Sequence, residues 1–145
     1  MAQSMKRKAS AIWQGGLKDG KGTLSTDSGV LKETQYSFST RFENGAGTNP
    51  EELVAAAHAG CFAMAFSAEL GKAGIRPESI HATATVTLDK SGDGFSVTES
   101  HLDVKAKVPG ADAGKVREIA EAAKAGCPIS RLLNAKVTMD AQVET

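Results

Sequence analysis

A long apolar run with a sharp polar start dominates the middle of the chain. Residues 54–68 are apolar on nearly every side of a helix. Asn49 before Pro50 is typical of an N-cap followed by the first helical position, and Glu52 completes a capping-box-like pattern. The pattern predicts a helix from Asn49 to about Lys72. A helix that is apolar all round is enclosed by other structure, so we predict that a partner subunit covers it.

The N-terminal third shows the two-residue alternation of β-strands, interrupted by glycine-rich turns. A first strand is predicted around Trp13. A later strand is predicted with Tyr36, Phe38 and Phe42 on one face and Arg41 on the opposite face. This region therefore predicts antiparallel strands that lead into the long helix.

Alternation returns after the long helix, with apolar residues at every second position from Ile80 to Leu88. The return strand, residues 95–108, changes apolar parity along its length, which predicts a β-bulge near Glu99 or Ser100. Helices are predicted over residues 111–125 and 127–133, followed by a closing strand. The predicted fold class is α+β, an antiparallel sheet packed on one long buried helix.

Composition narrows the class of protein without naming it. The 145 residues suit one domain, 1–145, with 41% hydrophobic residues. Seventeen basic and seventeen acidic residues cancel, so charge predicts no nucleic-acid partner. The apolar stretch Leu53–Ala68 is 16 residues long, which we interpret as too short and too interrupted for a membrane span. Met5 is the expected start, with residues 1–4 foreign to the protein.

Two cysteines without a secretion signal favour a reducing, cytoplasmic location, where they are catalytic or inert rather than structural. Cys61 lies in the long helix, where a cysteine is most often a small buried hydrophobe. His58 lies on the same helical side and could be a satisfied core histidine. Gly60 costs about 1 kcal/mol in a helix and predicts a close approach by another group. Cys127 begins a helix, where unpaired N–H groups favour a thiolate.

The other charged candidates have simpler interpretations. Arg41 could be a solvated arginine paired with Glu43. Glu51 could serve only to interact favourably with the positive end of the helix dipole. His81 and His101 fall on polar strand faces. The spacing of cysteines and histidines predicts no metal site, and no phosphate-binding loop is present. These residues alone predict an α+β protein with two suggestive thiols and leave the reaction open.

Four segments, residues 41–43, 47–53, 55–62 and 124–130, resemble the osmotically inducible protein C branch of the OsmC/organic hydroperoxide resistance family. The resemblance implies an intertwined homodimer that reduces organic hydroperoxides in stress defence, without a cofactor and with an external dithiol reductant. It implies that Cys61 is the peroxidatic cysteine and that Cys127 resolves it as a disulfide. Arg41 and Glu51 match the arginine and glutamate of the family's site.

Two alternatives use the same residues differently. One is a non-catalytic thiol redox sensor or small-ligand binding module on the same fold. The other is an acyl-transfer enzyme that uses Cys61 and His58 and gives Cys127 no role.

Helix geometry predicts how the site is shared between subunits. Glu51 and Cys61 are ten residues apart on one helix, which separates their backbones by about 15 Å. Two such helices that cross antiparallel near Ala56 would place each glutamate beside the other chain's thiol. We therefore expect Cys61 and Cys127 from one subunit and Glu51 from the other. The sequence leaves open which subunit supplies Arg41, with a preference for the Glu51 subunit.

Overall fold

The computed structural model describes residues 4–145. The chain separates into two compact units, one that ends at Pro50 and one that begins at Glu51. That the two units act as one domain stays a prediction. The expectation about residues 1–4 falls almost entirely outside the described residues.

The N-terminal unit is a three-stranded antiparallel sheet followed by a short helix. Its strands pair in chain order, and its elements are β1 (Ala9–Gln14), β2 (Lys21–Thr26), β3 (Thr34–Tyr36) and α1 (Phe38–Phe42). Gly22 of β2 lies directly between Trp13 and Tyr36, whose rings pack at a centroid distance of 5.5 Å. A side chain at Gly22 would collide with both rings, so glycine allows them to meet across the central strand.

Residues 38–42 form a helix, and the predicted strand there is wrong. A reciprocal capping box starts α1, in which the Thr40 N–H donates to Ser37 Oγ and the Ser37 N–H donates to Thr40 Oγ1. Phe38 and Phe42 are four residues apart and stack at a centroid distance of 5.0 Å, which helical spacing allows. The correction moves Arg41 from a strand face to the last turn of this helix.

The C-terminal unit combines a long helix, a second three-stranded sheet and two further helices. Its elements are α2 (Pro50–Lys72), β4 (Ser79–Ser91), β5 (Gly94–Lys107), α3 (Ala113–Gly126), α4 (Pro128–Leu132) and β6 (Lys136–Glu144). The long helix is confirmed at both ends. The strand order is β4-β5-β6, with β4 antiparallel and β6 parallel to β5. The sheet is therefore mixed, because α3 and α4 form a crossover that brings the chain back in the same direction.

A β-bulge sets which side of β5 faces the core. Leu88 pairs with Val97 and Thr87 pairs with Glu99, which leaves Thr98 as the extra residue. The predicted bulge is confirmed, one residue before the expected position. Beyond it, alternate residues from Ser100 to Ala106 are buried, so the bulge turns Ser100 inwards.

The core of this unit forms where α2 packs on the sheet and on α3. The buried stripe of α2 repeats every four residues: His58, Phe62, Phe66 and Leu70. Leu102 and Val104 of β5 join the same cluster. The full 23-residue helix is long and apolar enough to cross a membrane by length and composition, so the length argument from the sequence was wrong. Its packed stripe identifies it as the core helix of this unit.

Candidate active site

The two cysteines lie side by side although 66 residues separate them in the chain. Their Sγ atoms are 3.0 Å apart. Cys61 lies on α2 and is half-buried, whereas Cys127 is completely buried. Cys127 ends α3 and starts α4 in an extended conformation (φ −56°, ψ 129°), because the residue before a proline avoids helical geometry. Pro128 therefore breaks the helix at the point where the second thiol meets the first.

The separation corresponds to two reduced thiols poised to react. A disulfide bond is about 2.05 Å long, so 3.0 Å leaves both cysteines free. When both are protonated, the Cys127 thiol donates to Cys61. Oxidation would close a bond after a movement of about 1 Å.

The surroundings shift the pKa values of the two thiols in opposite directions. Burial and the hydrogen bond with Cys127 raise the pKa of Cys61 above 9.0, and the Ile129 amide opposes them weakly. Burial also acts to raise the pKa of Cys127. Hydrogen bonding with the Cys61 thiol lowers the pKa of Cys127, and so do the Ser130 amide, the Ser130 hydroxyl and the Ile129 amide. Together these groups outweigh burial, so the net pKa of Cys127 falls. In the ionised pair, the Cys61 thiol must turn to donate to the Cys127 thiolate. Among the described residues, those that shift the pKa of Cys61 include no cation.

His58 is a fully buried core histidine with both ring nitrogens engaged. Nδ1 lies 2.6 Å from Ser100 Oγ and Nε2 lies 2.7 Å from Ser130 Oγ. Burial lowers the pKa of His58 below 6.5, so the ring is neutral at pH 7. Both nitrogens are occupied by serines, and neither is hydrogen-bonded to Cys61, which weighs against the acyl-transfer alternative. The sequence reasoning missed Ser100 and Ser130.

Arg41 and Glu51 are placed by different units of the chain. Arg41 is exposed on α1, with its guanidinium carbon 5.2 Å from the centroid of the Phe42 ring. It lines a mostly aromatic cavity of about 200 Å³ together with Trp13, Leu17, Tyr36, Ser37, Phe38 and Phe42. Glu51 lies in the first turn of α2. Since Glu51 and Cys61 share this continuous helix, about 15 Å separates their backbones, and one chain does not bring them together.

Two features predicted around Cys61 differ from the sequence interpretation. Among residues 4–145, nothing lies within 4 Å of a side chain added at Gly60, so this part of the chain makes no close approach there. The sequence also predicts an apolar surround for the thiol from Phe62 and Met64 or from their counterparts in a partner chain. Phe62 of the same chain instead packs into the core against Phe66, with ring centroids 5.6 Å apart. Met64 is 78% exposed. An apolar surround built from these two residues is therefore absent from the described part of a single chain.

One group of side chains has a composition that could bind a metal ion. His101 Nε2 lies 3.3 Å from Asp103 and 3.2 Å from Asp140. Spacing did not reveal it because Asp140 comes from β6, where it pairs directly with Asp103. Both carboxylates are exposed to solvent, so water can satisfy them and the arrangement does not require a metal.

The mixed α+β fold and the paired thiols define a two-cysteine thiol protein. The OsmC-like protein family matches residues 43–142, and the chain belongs to this family. Glu51, Cys61 and Cys127 fall within the matched region, whereas Arg41 lies just before it.

Relatives and solved structures agree with this membership. The chain is 52% identical to peroxiredoxin OsmC of Escherichia coli, covering 96% of this chain and 97% of that protein. It is 30% identical to the organic hydroperoxide resistance protein OhrB of Bacillus subtilis, covering 85% and 89%. An organic hydroperoxide resistance protein from Elizabethkingia anophelis has a similar structure, with a TM-score of 0.73, 25% identity, and 100% and 99% coverage.

Proposed function

We propose that the protein is a cysteine-based peroxidase that reduces organic hydroperoxides to alcohols in stress defence. The observation that carries the proposal is the 3.0 Å distance between Cys61 Sγ and Cys127 Sγ. The similarity to peroxiredoxin OsmC and to organic hydroperoxide resistance proteins supports the same chemistry.

The difference in exposure supports separate roles for the two thiols. Cys61 is half-buried and Cys127 is completely buried, so a peroxide reaches Cys61 first. The Cys61 thiolate attacks one peroxide oxygen, the O–O bond breaks, and the alkoxide leaves and is protonated to an alcohol. Cys61 becomes a sulfenic acid. Cys127 then attacks Cys61 Sγ, the S–O bond breaks, and water leaves as the disulfide forms.

The cycle closes without a cofactor. An external dithiol reduces the disulfide and becomes oxidised itself, which returns both cysteines to thiols. A reducing cytoplasm would supply such a dithiol and would suit two cysteines that must not remain bonded.

Arg41 and Glu51 complete the proposed site. A thiol whose pKa is raised by burial needs a cation to ionise at neutral pH. A carboxylate can orient the guanidinium by a bidentate pair. Arg41 also lines an aromatic cavity, which suits the apolar part of an organic hydroperoxide.

A homodimer would supply what a single chain does not. Only one stripe of the apolar helix α2 is buried, and Met64 is 78% exposed. A second copy packed on the open faces would bury them and bring a second Glu51 towards Cys61. The dimer is therefore part of the proposed function.

Cysteine variants test the function and separate it from a redox sensor. We expect Cys61→Ser to abolish reduction of cumene hydroperoxide with a dithiol reductant. Cys127→Ser should permit one oxidation of Cys61, cripple turnover and promote sulfinic acid. Mass spectrometry after one equivalent of peroxide should show a Cys61–Cys127 bond within one chain. Stoichiometric oxidation without turnover would instead indicate the sensor.

Substrate comparison provides a second arm of the same test. The aromatic cavity predicts a higher kcat/KM for bulky organic hydroperoxides than for hydrogen peroxide. An equal or reversed preference would contradict an apolar peroxide pocket.

A further inference from the structure

A line of buried hydrogen-bonding groups runs from the sheet, through the core helix, to the second thiol. Ser100 of β5 lies 2.6 Å from His58 Nδ1, and Ser130 of α4 lies 2.7 Å from His58 Nε2. Ser100 and His58 have no exposed surface. At the end of this line, Ser130 is the third residue of α4, whose N-cap is Cys127, and the Ser130 hydroxyl acts to lower the pKa of Cys127.

A neutral histidine can order this line in two directions. It carries one N–H group, so one nitrogen donates while the other accepts. In one direction Ser130 donates to Nε2, and Nδ1–H donates to Ser100. In the other, Ser100 donates to Nδ1, and Nε2–H donates to Ser130. Only the second direction frees the Ser130 hydroxyl proton for another acceptor.

The charge on Cys127 decides between the two directions. In the reduced pair the Cys127 thiol donates to Cys61, so the Ser130 hydroxyl proton remains available to His58 Nε2, as in the first direction. A thiolate only accepts, so it requires the Ser130 hydroxyl as donor and therefore the second. Because burial keeps His58 neutral, the ring can switch tautomer without placing a second charge in the core.

We propose that His58 is a positioning residue for Cys127, holding the Ser130 hydroxyl so that it donates to the Cys127 sulfur whenever that sulfur is negatively charged. The inference rests on the proposed peroxidase function and adds a role for a residue that touches neither peroxide nor Cys61. The hydrogen bond acts in two steps of the cycle.

The first step is disulfide formation. The Cys127 thiolate attacks Cys61 Sγ of the sulfenic acid, the S–S bond forms and the S–O bond breaks. The departing hydroxide takes up the proton that Cys127 released and leaves as water. A donor on the thiolate raises the fraction of Cys127 that is ready to attack.

The second step is reduction. Since Cys127 is completely buried, an external dithiol reaches Cys61 Sγ, and Cys127 departs as the thiolate. A thiol with a lower pKa is a better leaving group. The reductant's second thiol then displaces Cys61, and the two protons of the dithiol end on the two cysteines.

Amide substitutions separate positioning from simple core packing. In His58→Gln the side-chain amide extends to about the place of Nε2 and can still donate to Ser130. In His58→Asn it stops at about the place of Nδ1 and reaches only Ser100. A hydrogen bond to a charged sulfur stabilises the thiolate more than one to a neutral thiol, so we expect His58→Asn and Ser130→Ala to slow disulfide formation about tenfold or more.

The closing reaction is measured by rapid quenching after one equivalent of cumene hydroperoxide, with mass spectrometry of sulfenic acid and disulfide. Formation of the Cys61 sulfenic acid should keep its rate in every variant. His58→Gln should restore closure to within about threefold of the parent. Exposed His81→Asn on β4 is the matched control, with parental rates expected.

A titration tests the inference without any peroxide. In a Cys61→Ser background, ultraviolet thiolate absorbance follows Cys127 alone. The midpoint should move to higher pH in Ser130→Ala and His58→Asn and return in His58→Gln. A parental midpoint and closure rate in Ser130→Ala would overturn the inference, even if the histidine variants fail to fold. A shifted midpoint in a protein that does not turn over peroxide would contradict the peroxidase function and still support the positioning role.

Discussion

The thiol that we propose reacts with peroxide is the one that its own chain makes harder to ionise. Burial raises the pKa of Cys61, while the pKa of Cys127 is lowered. A resolving thiol can use its lower pKa only after Cys61 is oxidised. The first oxidation therefore requires a group that reverses this order of pKa values. A guanidinium brought close to Cys61 would do so by favouring the charged form of the thiol.

We predict that Arg41→Ala slows oxidation of Cys61 at pH 7 by about 10- to 1000-fold, because loss of a nearby cation raises a thiol pKa by 1–3 pH units. The sign determines the pH profile. A higher pKa leaves less thiolate at neutral pH, so the rate should recover as pH rises towards that pKa. Stopped-flow oxidation of the Cys127→Ser variant between pH 6 and 10 measures this profile.

Arg76→Ala provides the matched control for this prediction, since Arg76 is an exposed arginine that follows α2. It should leave the profile unchanged. A parental rate in Arg41→Ala at pH 7 would show that another group ionises Cys61.

For individual residues, the sequence predicted the two cysteines better than the hydrogen-bonding residues around them. Both cysteines are identifiable from motif and helix position. His58 was correctly interpreted as a possible satisfied core histidine. Its partners were not predictable individually, since Ser100 faces inwards only because of the bulge at Thr98, and Ser130 reaches the ring only because Pro128 redirects the chain.

Within the elements, α2 contains two glycines where alanine would favour the helix. Gly60 and Gly71 are both exposed, and no described residue lies within 4 Å of an added side chain at either position. We predict that Gly60→Ala stabilises the fold by up to about 1 kcal/mol, because alanine loses less backbone entropy in a helix. Urea unfolding at fixed protein concentration measures the change.

Gly71→Ala near the end of the same helix is the control, with a smaller gain expected because helix ends fray. Destabilisation by Gly60→Ala together with weaker self-association would show that a second chain approaches closely at Gly60.

Element boundaries followed from sequence wherever one local signal dominated. The sequence Asn49–Pro50 correctly predicted the start of α2. The change in apolar parity along β5 correctly predicted a bulge. The error at residues 38–42 arose because Phe38 and Phe42 share a face in a strand and also in a helix. The Ser37–Thr40 capping box decides for the helix. The direction of β6 depends on a crossover through α3 and α4, which alternation within a strand does not encode.

For the whole molecule, α2 leaves an unusual amount of apolar surface open. Its single buried stripe accounts for four of 23 residues, although nearly every side of its middle is apolar. Water contact on so much apolar area is unfavourable. A two-fold partner would cover it with the same helix, since cyclic dimers are the commonest oligomers.

Such a dimer makes a sharp prediction about which residues act together. The thiols meet within one chain at 3.0 Å, whereas Glu51 is about 15 Å along the helix from Cys61. Mixing inactive Cys61→Ser with inactive Glu51→Ala should therefore restore activity. One active site of each heterodimer then holds an intact thiol pair from one chain and an intact glutamate from the other. We expect each heterodimer to recover about one active site of two.

The control mixture is Cys61→Ser with Cys127→Ser. Each of these variants lacks one cysteine of its own thiol pair. Neither active site of that heterodimer contains two intact cysteines from one chain, so the heterodimer should remain inactive. Subunit exchange is verified by native mass spectrometry, and activity is measured with cumene hydroperoxide and a dithiol. Recovery in the control mixture would show that the disulfide forms between chains. No recovery in the first mixture after verified subunit exchange, or full activity in a monomer, would show that the site is not shared between subunits.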